Sequence, residues 1–495
     1  MCSSKCSDYI LNNGFITQKG NYFVINKQVK KHLVRMLNTI EKFDKIVREL
    51  LLNEAVRPVS EHVASQELYN TLDLSLSENG IPDEEFELAL RDLVLKTPRT
   101  ATNAFFNQLF GGRNDKAVLG DLLAVVLNNS MYTYKAAGPQ VGVEKILLRE
   151  TCNIIGWNMD ADGTFAPGGS MTNYMAMVMA RDAFDKTIKY DGVQHKMTVY
   201  TSKESHYSIP KNAAFSGIGR NNVRYVPCDE FGKMNVSELS KMITEDKQNG
   251  FAPIMVNLTA GTTVMGAFDE IPEVREICDA YGMWVHLDGA YCGSVLFSNA
   301  YKHLIKGVEL ADSFSYNAHK MLGTPLSCSI IVVKNKQYLH DSFSNDASYL
   351  YQTDHDEFNL GKTSLQCGRR NDALKFWTLW KSVGTKGLER IVDHQFDLAD
   401  IARDYIKSNS DYNLYSYDES ISVCFNYKGI PARKICTALY EHSELLVGYG
   451  SFREDEFIRL VTINAQNEKE DILNFFKTLE SFVEEHSTIF APVLQ

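Results

Sequence analysis

The spacing of apolar residues divides the chain into three textures. Over residues 28–54 (QVKKHLVRMLNTIEKFDKIVRELLLNE) apolar side chains recur every three or four positions, which predicts an amphipathic helix. A second helix is predicted over 81–95, where Ile81-Pro82-Asp83-Glu84-Glu85 sets a proline and three acids at a helix start. The first hundred or so residues are therefore expected to be mostly helical. Beyond about residue 150, short β-rich runs at 197–201, 223–226, 253–258, 283–288 and 329–333 alternate with helical patterns at 170–185, 235–248 and 271–281. Runs that are apolar throughout belong to strands covered on both faces, and their alternation with helices predicts a largely parallel α/β sheet. After about residue 375, helical patterns at 375–383, 388–408, 431–442 and 468–485 surround strand candidates at 421–427 and 456–463, as in a smaller α+β domain. The expected organisation is a helical segment over 1–104, a large domain over 105–372 and a small domain over 373–495.

Composition narrows the class. With 44% hydrophobic and 23% charged residues, the 495-residue chain has ordinary globular composition, and its length can bury a large core without disulfides. The ten cysteines are scattered at 2, 6, 152, 228, 278, 292, 328, 367, 424 and 436, a pattern of reduced thiols in a cytoplasmic protein. Cys2 and Cys6 lack partner ligands at metal-binding spacing, so no metal is expected. The start, Met1-Cys-Ser-Ser-Lys-Cys6, has no apolar run of the signal-peptide kind, and no stretch approaches the ~18 apolar residues of a membrane span. Lys+Arg 51 against Asp+Glu 62 gives a net charge of −11, a poor bulk field for nucleic acid.

Five short segments carry candidate chemistry. Gly168-Gly169-Ser170 opens a predicted helix, whose first N–H groups and dipole suit a phosphate. The strand Trp284-Val285-His286-Leu287-Asp288 ends in an acid and is followed by small residues, Gly289-Ala290. Ligand groups gather beyond strand carboxyl ends in such sheets, where an Asp can pair with a cationic ring nitrogen. Lys320, in Asn317-Ala318-His319-Lys320, is an amine that could form a Schiff base if its pKa is lowered. His206, in Ser205-His206-Tyr207-Ser208, could stack on a flat cofactor or act as an acid/base. Thr259-Ala260-Gly261-Thr262-Thr263 brings hydroxyls to another strand end. Singly, each has a plainer reading: a helix cap, an ordinary turn, a surface lysine, a hydrogen-bonded loop histidine. Together they supply the parts that pyridoxal 5′-phosphate requires.

With these segments in place, the chain resembles the group II pyridoxal phosphate-dependent amino acid decarboxylases, within them the glutamate and cysteine-sulfinate branch. The similarity rests on FFNQLFGG (105–112), PGGSMTN (167–173), SHYS (205–208), TAGTTVMGAFD (259–269), HLDGAY (286–291), NAHK (317–320) and LQCGRR (365–370), in family order. It implies the fold type I architecture, with the cofactor in the large domain and a homodimer. By the same resemblance Lys320 would hold the cofactor and Asp288 would pair with its ring nitrogen. His206 and Ala290 would flank the ring, and Thr263 would touch its edge. Gly169, Ser170, Asn317 and His319 would bind the phosphate. For substrate it implies Arg459, whose fork suits a carboxylate or sulfinate, with Phe106, Gln108 and Tyr132 beside it.

The implied reaction is α-decarboxylation of a small acidic amino acid, with cysteine sulfinate, cysteate or aspartate ahead of glutamate. The chain departs from the family at 351–363 (YQTDHDEFNLGKT), where the family's proton-donating Tyr has no counterpart and His355 or Phe358 stands instead. The alternatives are another decarboxylase or an aldehyde-forming decarboxylase on the same fold, and a non-catalytic binding protein, against which Lys320 and Asp288 count.

Overall fold

A computed structural model describes residues 15–18, 21–24, 27–56, 59–61, 63–345 and 356–490. The chain divides into two compact units, Met1–Thr102 and Asn103–Gln495. In the first, β1 (Phe15–Gln18) and β2 (Asn21–Val24) form an antiparallel hairpin, followed by the long helix Lys27–Val56. The helix predicted at 81–95 runs Asp83–Lys96, because Pro82 is extended (φ −56°, ψ 149°) and stands as its N-cap. Lys45 with Glu87 (2.5 Å) and Arg91 Nε with Glu49 (2.7 Å) tie the two helices together.

The second unit is built on a seven-stranded sheet of order β3-β9-β8-β7-β6-β4-β5. Its strands are β3 (Asp162–Ala166), β4 (Met197–Ser202), β5 (Val223–Val226), β6 (Ala252–Thr259), β7 (Trp284–Gly289), β8 (Ser313–Asn317) and β9 (Ser329–Val333). β5, β4, β6, β7 and β8 are parallel, and β9 runs antiparallel to both β8 and β3. The sheet is covered on both faces. Val256, Val285 and Ile330 belong to one apolar cluster, and Met255, Trp284 and Ile331 to another that includes Met175 and Met179 of the helix Gly169–Phe184.

β3 and β8 were not among the predicted strands. In β8, Ser313, Ser315 and Asn317 alternate with Phe314 and Tyr316, so no continuous apolar run marks it. A four-stranded antiparallel sheet of order β10-β11-β13-β12 lies toward the C-terminus: β10 (Tyr412–Leu414), β11 (Ser422–Tyr427), β12 (Gly448–Phe452) and β13 (Asp455–Val461). The helices Thr385–Lys407 and Lys469–Glu485 bury Phe396, Phe475, Phe476 and Leu479.

Among the described residues no helix is long and apolar enough to cross a membrane. No group of three or more His, Cys, Asp or Glu among them is placed to hold a metal ion.

Candidate active site

The parallel strands deliver their carboxyl ends to one place. A cavity of about 200 Å³ is lined there by Gly169, Ser170, His206, Thr263, Asp288, Ala290, Asn317, His319 and Lys320, and also by Asn173, Tyr207, Thr259, Gly261 and Tyr291. Every residue assigned from sequence to the cofactor thus faces one space, although the assignments lie up to 151 positions apart, from 169 to 320.

The helix Gly169–Phe184 starts at the cavity, so its first N–H groups have no intrahelical acceptors. Gly168 takes φ +117°, a conformation that side chains resist, to turn the chain into that helix. A Cβ on Gly169 would lie 2.9 Å from Ala290 Cβ and 3.0 Å from Asn317 Nδ2, so only glycine allows this approach. Asn317 Oδ1 is buried without a hydrogen-bond partner among the described residues. His319 Nδ1 accepts the Cys328 N–H at 2.8 Å, and Cys328 O already accepts the Ala318 N–H, so the proton of the neutral ring belongs on Nε2. Burial, with the charge of Lys320, pushes the His319 ring down to about 4 and keeps it neutral. A helix start and an imidazole N–H make a cradle that fits a phosphate.

Asp288, at the end of β7, accepts the Ala290 N–H on Oδ1 (3.0 Å) and the Asn173 amide on Oδ2 (2.6 Å). Lys320 Nζ lies 5.9 Å from the centre of the Tyr291 ring. Burial holds its pKa below the ordinary lysine value; Asp288 pulls the other way, and Arg459 adds to the depression. Burial likewise lowers His206, whose Nδ1 accepts the Ser208 N–H at 3.2 Å. These groups fit pyridoxal phosphate: an acid for the ring nitrogen, a neutral imidazole, and an amine biased toward its free-base form.

The substrate set is less concentrated. Arg459, on β13, donates from Nη1 to Thr263 O (2.6 Å) and from Nη2 to Asn107 O (2.9 Å), and its Nε is buried with no partner among the described residues. Phe106 is buried in the core, edge-on to Phe475 (5.1 Å between centroids), and Gln108 is exposed. The FFNQL segment reaches Arg459 through the main chain of Asn107. Tyr132 is half-buried and its carbonyl accepts the Gly361 N–H (2.8 Å). None of Phe106, Gln108, Tyr132 and Arg459 is among the residues lining the cavity described above; Arg459 touches its wall through the carbonyl of Thr263. Phe358 packs on Tyr134, with Lys145 6.0 Å from its ring centre, and does not line it either. His355 lies outside the described residues.

Sequence reasoning gave no role to Asn173 or His286. Both follow from periodicity: Asn173 is one helical turn beyond Gly169, and His286 shares a strand face with Asp288.

Comparison with known proteins bears on this geometry. The model of the pyridoxal-dependent decarboxylase conserved domain matches residues 67–428. The acidic amino acid decarboxylase GADL1 of Bos taurus is 35% identical over 465 residues, covering 87% of this chain and 89% of that protein. The cysteine sulfinic acid decarboxylase of Mus musculus is 38% identical over 391 residues, covering 77% and 79%. The crystal structure of mouse CSAD superposes with a TM-score of 0.86 at 33% identity, over 90% of this chain and 99% of that one. At 22% identity, the Oryza sativa TDC structure with PLP and tryptamine (TM-score 0.82, 95% and 99% covered) shares the fold.

Proposed function

The chain belongs to the pyridoxal-dependent decarboxylase family, and from that premise we propose that it removes the α-carboxyl group of a small acidic amino acid as CO₂. Cysteine sulfinate, cysteate and aspartate stand ahead of glutamate as substrates. The observation that carries the reading is the convergence of Lys320, Asp288 and His206 on one cavity, with Arg459 hydrogen-bonded to the main chain of Thr263 at its wall. Relatives named for acidic amino acids and for cysteine sulfinic acid support the substrate class.

Bound in the cavity, pyridoxal phosphate supplies an electron sink for the pair left behind when the carboxylate departs. The chain does the rest. Burial lowers the pKa of the Lys320 amine, which favours the unprotonated form able to attack a carbonyl carbon. Asp288 would offer its carboxylate to a ring N–H. His206, whose pKa burial lowers, would flank the ring as a neutral imidazole. Gly169 and Ser170 give main-chain N–H groups, and Asn317 and His319 side-chain donors, to the phosphate. Arg459 would meet an acidic side-chain group through donors outside its two main-chain hydrogen bonds, which are Nε and the second N–H of each terminal nitrogen.

We also assign a homodimer and a cytoplasmic location. Exposed apolar side chains on the helix Asp115–Leu127 (Leu119, Leu122, Leu123, Val126) support a partner surface. Every cysteine among the described residues is unpaired, which suits a reducing compartment.

The test is to incubate purified protein and pyridoxal phosphate with cysteine sulfinate, aspartate, glutamate or an aromatic amino acid, measuring both CO₂ and organic product. The expected result is CO₂ with the corresponding amine, fastest for the short acidic substrates. An aldehyde product, or preference for the aromatic substrate, would overturn the proposal in favour of the alternatives named above.

A further inference from the structure

Behind Asp288 runs a chain of buried polar side chains that the cofactor reading does not use. Trp284, His286 and Asp288 lie on one face of β7, since side chains two apart share a face. Ser313 stands opposite His286 in the β7–β8 register. Asn173, one turn into the helix Gly169–Phe184, sits between His286 and Asp288: its Nδ2 is 2.6 Å from Asp288 Oδ2 and 3.1 Å from Ser208 Oγ, and its Oδ1 is 3.1 Å from His286 Nε2. His286 Nδ1 is 2.8 Å from Ser313 Oγ, which also receives the Trp284 indole N–H at 2.9 Å. His286 and Ser313 are wholly buried, and Asn173 is 1% exposed.

Each proton in this chain has one consistent position. A carboxylate only accepts, so the NH₂ edge of Asn173 must face Asp288, and its second N–H serves Ser208. Oδ1 then faces His286 and needs a donor, which puts the imidazole proton on Nε2. Burial pushes the His286 ring down to about 4, so it carries no second proton, and Nδ1 must accept. Ser313 supplies that proton from its hydroxyl while accepting from Trp284. The chain therefore runs in one direction, Trp284 to Ser313 to His286 to Asn173 to Asp288, and presents the carboxylate with a donor. A misplaced proton anywhere along it would leave two buried acceptors or two donors face to face, at a cost comparable to losing a hydrogen bond.

We propose that Ser313, His286 and Asn173 are positioning residues that hold the Asp288 carboxylate as an acceptor aimed into the cofactor cavity. The proposal rests on the reading that the ring nitrogen of pyridoxal phosphate sits at Asp288. None of the three needs to touch cofactor or substrate for this role: they fix the rotamer of Asp288 and occupy one oxygen with a donor, leaving lone pairs for the ring N–H.

The test measures the dissociation constant of pyridoxal phosphate for the full-length protein, by equilibrium dialysis, together with the visible absorption band of the bound cofactor. The variants are Asp288→Asn, His286→Leu, His286→Gln and Ser313→Ala. His286→Leu breaks the chain, and binding is expected to weaken about tenfold, as for loss of a hydrogen bond to a charged group, with a shifted band. His286→Gln keeps a donor toward Asn173 and is expected to stay within about threefold of the parent and to keep the parent band. Ser313→Ala is expected to weaken binding in the direction of His286→Leu. If His286→Leu does not fold, Ser313→Ala and His286→Gln decide alone. Parent-like binding and band in His286→Leu or Ser313→Ala, or His286→Gln as impaired as His286→Leu, would overturn the proposal while Asp288→Asn still weakens binding. If Asp288→Asn itself binds like the parent, the cofactor reading fails instead.

Discussion

Arg459 engages both terminal nitrogens with main-chain carbonyls, Thr263 O and Asn107 O, so it braces the wall of the site as well as charging it. The two roles separate by substrate. Arg459→Met is expected to lower kcat/KM for acidic substrates by about one to two orders of magnitude, the range for a lost charge-assisted hydrogen bond, and to affect an uncharged substrate far less. Arg459→Lys restores charge without the fork and should recover only part of the loss. Equal losses on acidic and uncharged substrates would make Arg459 a brace only. At this scale the sequence was legible where function rests on a side chain. Lys320, Asp288, His206 and Asn317 all face the cavity. It was illegible where main chain makes the contact: Phe106 and Gln108 stand in the right motif, yet the atom that meets Arg459 is the carbonyl of Asn107 between them.

The helix Gly169–Phe184 and the strands β7 and β8 act as elements. The helix brings its N-terminus against Asn317 and Ala290, and its close approach depends on the missing side chain at 169. Gly169→Ala should leave the helix intact, because alanine favours it. The new methyl, however, would sit 2.9 Å from Ala290 Cβ. Overpacking of this kind costs about 1–3 kcal/mol, and the expected result is weaker retention of pyridoxal phosphate on dialysis with little change in the circular dichroism spectrum. Retention equal to the parent would mean that the phosphate does not sit at this helix start. β8 was missed as a strand for the reason that makes it useful. Its Ser313 and Asn317 point to the polar side where the relay and cavity lie, while Phe314 and Tyr316 fill the apolar core. β7 was recognised through its apolar residues, although its His286 and Asp288 are the side chains that hydrogen-bond to Asn173.

At the scale of the molecule, the alternation of strand and helix was enough to foresee a largely parallel sheet, and clusters on its two faces account for the continuous apolar runs. The antiparallel edge, where β9 turns back between β8 and β3, was not foreseen, because an apolar run such as Ser329–Val333 carries no sign of its direction. Nor did the sequence reveal the buried pair Arg369–Glu144 (2.6 Å), which joins residues 225 positions apart, since each reads as an ordinary surface charge. On the proposed function, the Lys320 amine that lines this cavity together with Asp288 is the group that holds the cofactor. Borohydride reduction of the cofactor-saturated protein, followed by peptide mass spectrometry, tests that most directly. The account predicts a pyridoxyl group on Nζ of Lys320 and on no other lysine; an unmodified Lys320 with the group elsewhere, or with none, would contradict it.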